Sequence, residues 1–290
     1  MNDHLKGILI TALGVLFVVP DSLFVRLIEA DPLVVAYWRG LTAGVVILVG
    51  VLALQGPSAV RATLGTGWPG AIYIILIGAT APGFVMAITL TSVANVVFIF
   101  ASMPVISAVL GRVFLKEPVS RRMVMTMLVV MIGLAIIAYG SKENELASWQ
   151  GDLIALGVAF SYSAALTAVR KVRNVSMIPA IPIGYIGAAI VLTPFVNPLV
   201  PLEGQWHLFL GHGLFIAVAT CFLTLGPRYI SSAEVALLIL LESVLAPLVV
   251  WAVIGEDPGR WALVGGAVVI SALLVSNLIA LSRRRAPRAC

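Results

Sequence analysis

Residues 232–254 read SAEVALLILLESVLAPLVVWAVI, an apolar run whose only charged residues are Glu234 and Glu242. A bilayer core about 30 Å thick is crossed by roughly 20 residues at about 1.5 Å of helical rise each, so this run has the length of one membrane span. Apolar side chains occupy nearly every face of it, which suits lipid rather than a helix with one wet side. A strand of a membrane barrel would alternate apolar and polar residues, and this run does not. The stretch predicts a transmembrane helix with Glu242 near its middle.

Outward from that run the same pattern recurs. Spans are expected at about 6–27, 32–54, 69–89, 93–115 and 122–140, then at about 150–169, 177–196, 206–226, 232–254 and 259–281. Turn formers or charge separate them, as in Gln55-Gly56-Pro57-Ser58, Lys116-Glu117-Pro118 and Gly255-Glu256-Asp257-Pro258. Composition agrees: 61% of the 290 residues are hydrophobic and 11% charged, against roughly 45–50% and 25% in soluble domains. The first run is long for a signal-peptide core and has no small-residue cleavage pattern after it, so it reads as a retained helix. The fold class expected is an all-α integral membrane protein of about ten transmembrane helices.

An even number of spans puts both termini on one side, and loop charge selects the side. With cytoplasmic termini, the inner loops hold Lys6, Arg61, Arg112, Lys116, Arg121, Arg122, Arg170, Lys171, Arg173, Arg228, Arg283, Arg284, Arg285 and Arg288. The outer loops hold Arg26, Lys142 and Arg260, and Arg39 lies within a span. That asymmetry predicts a multi-pass protein of the cell (inner) membrane. The net charge of +5 is spread in short clusters between spans, so it reads as topogenic charge and not as a nucleic-acid surface. Cys221 and Cys290 form neither a disulfide framework nor a metal-ligand spacing. No cofactor and no metal are expected. The partners expected are the lipid bilayer and a small-molecule substrate.

Shifting the chain by 139 residues lays Ser92, Ala94, Val96, Val105, Glu117 and Arg121 on Ser231, Ala233, Val235, Val244, Glu256 and Arg260. Matches among small and apolar residues carry little weight, so Glu117 with Glu256 carries most of it. Each half holds five spans, and an odd number forces two similar halves to face opposite ways. The expectation is therefore two inverted five-helix repeats, residues 1–145 and residues 146–290, the second ending in a basic tail. Inverted repeats recur in transporters, with the binding site near the midplane between the halves. A fused pair of halves needs no partner subunit, so a monomer suffices.

Short motifs add a resemblance. Asp31-Pro32 leads to Arg39 in the second span, and Pro104-Val105-Ile106-Ser107 runs on to Phe114-Leu115-Lys116-Glu117. The second half offers Leu241-Glu242-Ser243 running on to Ile254-Gly255-Glu256. In these features the chain resembles the drug/metabolite transporter superfamily, specifically its EamA-type members. The family commonly places proline after the glutamate of the ninth span. Here Ser243 stands at that position and Pro247 follows one turn later, which moves the expected kink. The resemblance implies a central cavity opened alternately to each side, and export of amino acids, related metabolites or amphiphilic cations.

Charges inside lipid cost roughly 2.5–3.5 kcal/mol each by insertion scales and are candidate functional residues on that ground. Asp21 lies in the outer third of span one, and Arg39 about 10 Å below the outer end of span two by helical rise. Similar depth allows the two to pair, either as a structural bridge or as a ligand contact. Glu242, with no basic residue on its own helix, is a candidate for binding a cationic group or coupling proton movement, or else it is a protonated carboxyl bonded across helices. Glu234, one turn into the same span, reads as interfacial. Tyr37, Trp38, Phe98 and Tyr162 are candidates for stacking or cation–π contact with substrate, and equally for helix packing. Asn95, Ser102, Ser161 and Thr220 are candidate polar contacts. Trp68, Trp149, Trp206 and Trp261 stand at span ends, where an aromatic belt accounts for them.

The rival classes are an intramembrane enzyme and a membrane receptor or sensor. Hydrolytic versions of the former need serine–histidine, paired-aspartate or His-Glu-x-x-His chemistry, and His4, His207 and His212 lie outside the span centres. No Gly-rich phosphate loop is present, which removes primary ATP-driven transport. The expectation is a secondary transporter with no catalytic residue.

Overall fold

The computed structural model describes residues 3–90, 96, 99–140, 148–199, 204–255 and 259–285. Every regular element among them is helical. They are α1 (Asp3–Val18), α2 (Asp21–Leu27), α3 (Pro32–Leu54), α4 (Pro57–Leu64), α5 (Trp68–Leu90), α6 (Met103–Leu115), α7 (Arg121–Gly140), α8 (Trp149–Lys171), α9 (Ile181–Leu192), α10 (Trp206–Leu225), α11 (Ser232–Ile239), α12 (Glu242–Ile254) and α13 (Gly259–Arg285).

Seven stretches are long and apolar enough to cross a membrane: Asp3–Leu27, Pro32–Leu54, Trp68–Ala87, Trp149–Lys171, Ile178–Phe195, Trp206–Arg228 and Ser232–Ile254. Met103–Leu115 and Leu263–Ser276 are shorter apolar helices. Large apolar side chains such as Leu16, Val49, Ile75, Val113, Ile132, Leu153, Ile190 and Leu278 stand exposed around the bundle. Apolar surface held out of lipid costs about 25 cal/mol per Å², so a coat of this kind belongs in a bilayer.

Helix starts follow local chemistry. Asp31 caps α3 by accepting the Leu33 N–H at 2.8 Å, with Pro32 in the first helical position. Ser231 and Glu234 form a capping box at the start of α11.

Besides the Val19–Pro20 junction between α1 and α2, two spans are interrupted at corresponding places. One break lies at Ala101–Ser102 before α6, the other at Leu240–Leu241 before α12. They stand 139 residues apart, and the helix after each is 13 residues long. Both helices end on a residue in the left-handed region, Lys116 with φ 57° and Gly255 with φ 82°. The break in the ninth expected span thus falls directly before Glu242, and Pro247 lies inside α12.

α5 lies along α8, α7 along α13, α3 between α9 and α10, and α6 against α8 and α11. Where α5 crosses α9 the backbones touch. A Cβ at Gly78 would stand 2.6 Å from the Gly184 carbonyl, and one at Gly184 would stand 2.6 Å from the Ile74 carbonyl. Only glycine admits that approach. At one end of the bundle Arg122 of α7 donates to Ser276 of α13 and to Glu234 of α11 at 3.3 Å, and His4 of α1 meets Glu234 at 3.1 Å. This end carries residue 3 and residue 285 and is called the terminal end below.

Candidate functional site

Pro20 stops α1, and Asp21 opens α2. That position turns a carboxylate toward the positive end of a helix dipole. Two turns into α3, Arg39 donates Nε to Asp21 Oδ1 at 3.1 Å and Nη2 to Oδ2 at 2.7 Å. The pair is buried, Asp21 at 6% and Arg39 at 14% side-chain exposure. Planar two-point contact of this kind is the strong form of an ion pair.

His212 of α10 completes the cluster. Its Nε2 lies 2.5 Å from Asp21 Oδ1. The carboxylate only accepts, so Nε2 is the protonated nitrogen. The imidazole is fully buried and stacks on Phe24, with ring centroids 5.4 Å apart and planes at 11°. Glycines on either side bring the helices close enough. A Cβ at Gly211 would meet the Phe24 ring at 3.2 Å, and one at Gly213 would run into the Thr42 side chain of α3. His212 Nδ1 has no hydrogen-bond partner among the described residues.

Glu242, the first residue of α12, lies within electrostatic reach of Asp21 and Arg39. It makes no hydrogen bond or ion pair among the described residues, and it is half-buried. Tyr162 of α8 and Tyr185 of α9 complete the surround: Tyr162 feels Tyr185, Glu242 and Arg39, and Tyr185 feels Arg39 and Asp21. The Tyr185 hydroxyl pairs with Thr220 at 3.1 Å, and Tyr73 with Thr224 at 2.8 Å. Among the described residues no group of His, Cys, Asp and Glu is placed to hold a metal.

The sequence-derived candidates divide. Asp21, Arg39, Glu242 and Tyr162 converge, and Thr220 reaches the same region through Tyr185. Trp38 turns away: its Nε1 donates to the Pro198 carbonyl at 2.9 Å, and its ring packs on Phe209. Tyr37 meets Trp38 edge-on and stays with that aromatic group. The Ser102 hydroxyl donates to the Ile99 carbonyl at 2.6 Å, a local bond at the break before α6. Ser161 is half-buried on α8. Asn95 and Phe98 lie outside the described residues, as does Glu256. Glu234 belongs to the terminal-end network with His4, Arg122 and Ser231.

Sequence reasoning does not reach His212 or Tyr185, since His212 lies off the centre of its apolar run and Tyr185 carries no charge. The rule that singled out Glu242, a polar group inside an apolar run, applies to His212 equally.

Toward the terminal end the bundle is closed. Arg170 at the end of α8 donates Nε to Glu117 at 2.7 Å and Nη1 to the Pro227 carbonyl at 3.0 Å. Above this clasp a seam of hydroxyls is buried between α6, α8 and α11. Ser163 donates to the Met103 carbonyl at 3.1 Å, and Thr167 donates to the Ser163 carbonyl at 2.9 Å and to Ser232 at 3.4 Å.

Comparison with known proteins agrees with this architecture. A solved crystal structure superposes with a TM-score of 0.81 at 17% identity, covering 97% of this chain and 99% of that one, which speaks to the fold alone. A Bacillus subtilis (strain 168) protein, "Uncharacterized transporter YdfC", is 24% identical over 188 residues, and the match spans 60% of this chain and 59% of that relative's length. The model of the EamA-like transporter family matches twice, over residues 5–139 and again over 149–278. The chain is a multi-pass membrane protein and belongs to the EamA-like transporter family.

Proposed function

We propose that this protein is a secondary transporter that moves a small metabolite, an amino acid or related amine, across the cytoplasmic membrane by alternating access, in the direction of export. The observation that carries the reading is the buried Asp21–Arg39–His212 cluster facing the carboxylate of Glu242, which has no hydrogen-bond or ion-pair partner among the described residues. Ionisable groups inside a bilayer are costly, and four gathered at one place mark a functional site by default. The same family model matching twice, the two breaks 139 residues apart, and the left-handed ends at Lys116 and Gly255 support two inverted five-helix halves, about ten spans in all. The loop charges support cytoplasmic termini and the inner membrane. On that reading the Glu117–Arg170 clasp and the Glu234–Arg122 pair are closed contacts on the cytoplasmic side, and the central cluster meets solute arriving from whichever side is open. The protein works as a monomer without cofactor.

The test is solute flux into proteoliposomes of purified protein, screened over amino acids, amines and sulfur-containing metabolites at two external pH values. Saturable flux of at least one class is expected, with its rate or its pH dependence altered in Glu242→Gln. No flux for any member would return the chain to the receptor or enzyme classes.

A further inference from the structure

Asp21 serves two donors at once. Its Oδ1 accepts from both Arg39 Nε and His212 Nε2, while Oδ2 accepts from Arg39 Nη2. The third guanidinium nitrogen, Nη1, has no hydrogen-bond partner among the described residues. The strength with which Asp21 holds Arg39 therefore depends on the charge of His212. A neutral imidazole leaves the carboxylate's full charge to the guanidinium. A protonated one competes for that charge and repels Arg39 across a shared oxygen atom.

We propose that His212 sets the charge preference of the central site, a reading that rests on the transport function above. With His212 neutral, Arg39 is satisfied by Asp21, and Glu242 is the one uncompensated charge, so the site favours an ammonium group. With His212 protonated, Arg39 is loosened from Asp21 and its Nη1 edge takes a substrate carboxylate. Histidine is the side chain that ordinarily changes charge in the physiological range. The groups that face this cluster are Asp21 from α2, Arg39 from α3, Tyr162 from α8, Tyr185 from α9, Cys221 on α10 itself and Glu242 from α12. Of these, Glu242 is the other group whose titration would shift the charge of the site in the same direction, and the experiment must separate it from His212. His212 is a positioning residue here: it acts on substrate through Asp21 and Arg39.

The experiment measures binding to the purified protein in nanodiscs of three amino acids, each against its own carboxamide: leucine, phenylalanine and lysine with leucinamide, phenylalaninamide and lysinamide. The members of each pair differ at the carboxylate, and the α-amine of the amide, the weaker base, gains protonation toward pH 5.5 and so works against the expected rise. For at least one pair, the preference for the acid over the amide is expected to rise about tenfold from pH 7.5 to pH 5.5, within the usual range of coupling between two sites. In His212→Gln, which keeps an N–H toward Asp21 but cannot gain a proton, that preference should stay flat at its pH 7.5 value. Glu242→Gln, which removes the partner of the ammonium group, should weaken binding of both members of a pair, while the pH dependence of their ratio persists.

A flat preference in the wild-type protein overturns the assignment without needing any variant. So does a pH-dependent preference that survives His212→Gln or disappears with Glu242→Gln. Binding with a pH-independent preference leaves the transporter reading standing while His212 loses its role. Failure of all six compounds to bind, together with an empty flux screen, removes both.

Discussion

Arg170 and Glu117, 53 positions apart in sequence, are joined at 2.7 Å between α8 and the loop that ends α6, and the same guanidinium also holds the Pro227 carbonyl after α10 at 3.0 Å. The clasp stands at the terminal end of the buried hydroxyl seam, and Ser107 of α6, itself fully buried, has an Oγ with no partner among the described residues.

Opening of this end is predicted to depend on the clasp. A cysteine at Ser107 should be protected from a membrane-impermeant maleimide added at the terminal end, and Arg170→Ala should speed its labelling. The pair is partly exposed, and such pairs contribute about 0.2–1 kcal/mol, so the acceleration should not exceed about fivefold. Unchanged labelling would mean that the seam is closed by packing alone.

The Asp21–Arg39 pair is predicted to respond differently to one change than to two. Asp21→Asn leaves Arg39 and His212 facing a neutral amide, and breaking a buried pair costs about 3–5 kcal/mol. A marked drop in thermal stability in detergent is expected. Exchanging the two charges should recover stability without transport if the pair touches substrate. Recovery of both would make it a structural bridge.

Glu242→Gln is predicted to leave the fold intact, since the side chain makes no hydrogen bond or ion pair among the described residues, and to abolish or flatten the pH dependence of flux. Wild-type rates at both pH values would dismiss Glu242 as a coupling residue.

Helix crossing at α5 and α9 gives a control in stability rather than transport. Gly184→Ala pushes a methyl against the Ile74 carbonyl, and overpacking of that sort costs about 1–3 kcal/mol. Gly187→Ala, whose Cβ meets nothing within 4 Å, should leave the melting temperature unchanged.

The membrane class was legible because lipid imposes a length and a polarity on every span, and both are written locally, as in residues 232–254. Asp21, Arg39 and Glu242 were legible for the same reason: an ionisable group in an apolar run costs enough to be noticed wherever it stands. Aromatic residues were legible only in part: Tyr162 joins the cluster, and Tyr37 and Trp38 do not. Trp38 is next to Arg39 in sequence, yet it turns to Pro198 and Phe209, because successive residues on a helix point about 100° apart and only the packed neighbours decide which face is inward.

What the sequence determined by itself is thus the set of helices that lie in lipid and the charges that lie within them, since hydrophobic length and charge cost need no knowledge of the rest of the fold. The tertiary structure alone decided that Asp21 is shared between Arg39 and His212, residues 18 and 191 positions away. That sharing exists because glycines at 211 and 213 let α10 press against α2 and α3, and no local pattern encodes which helices will meet there.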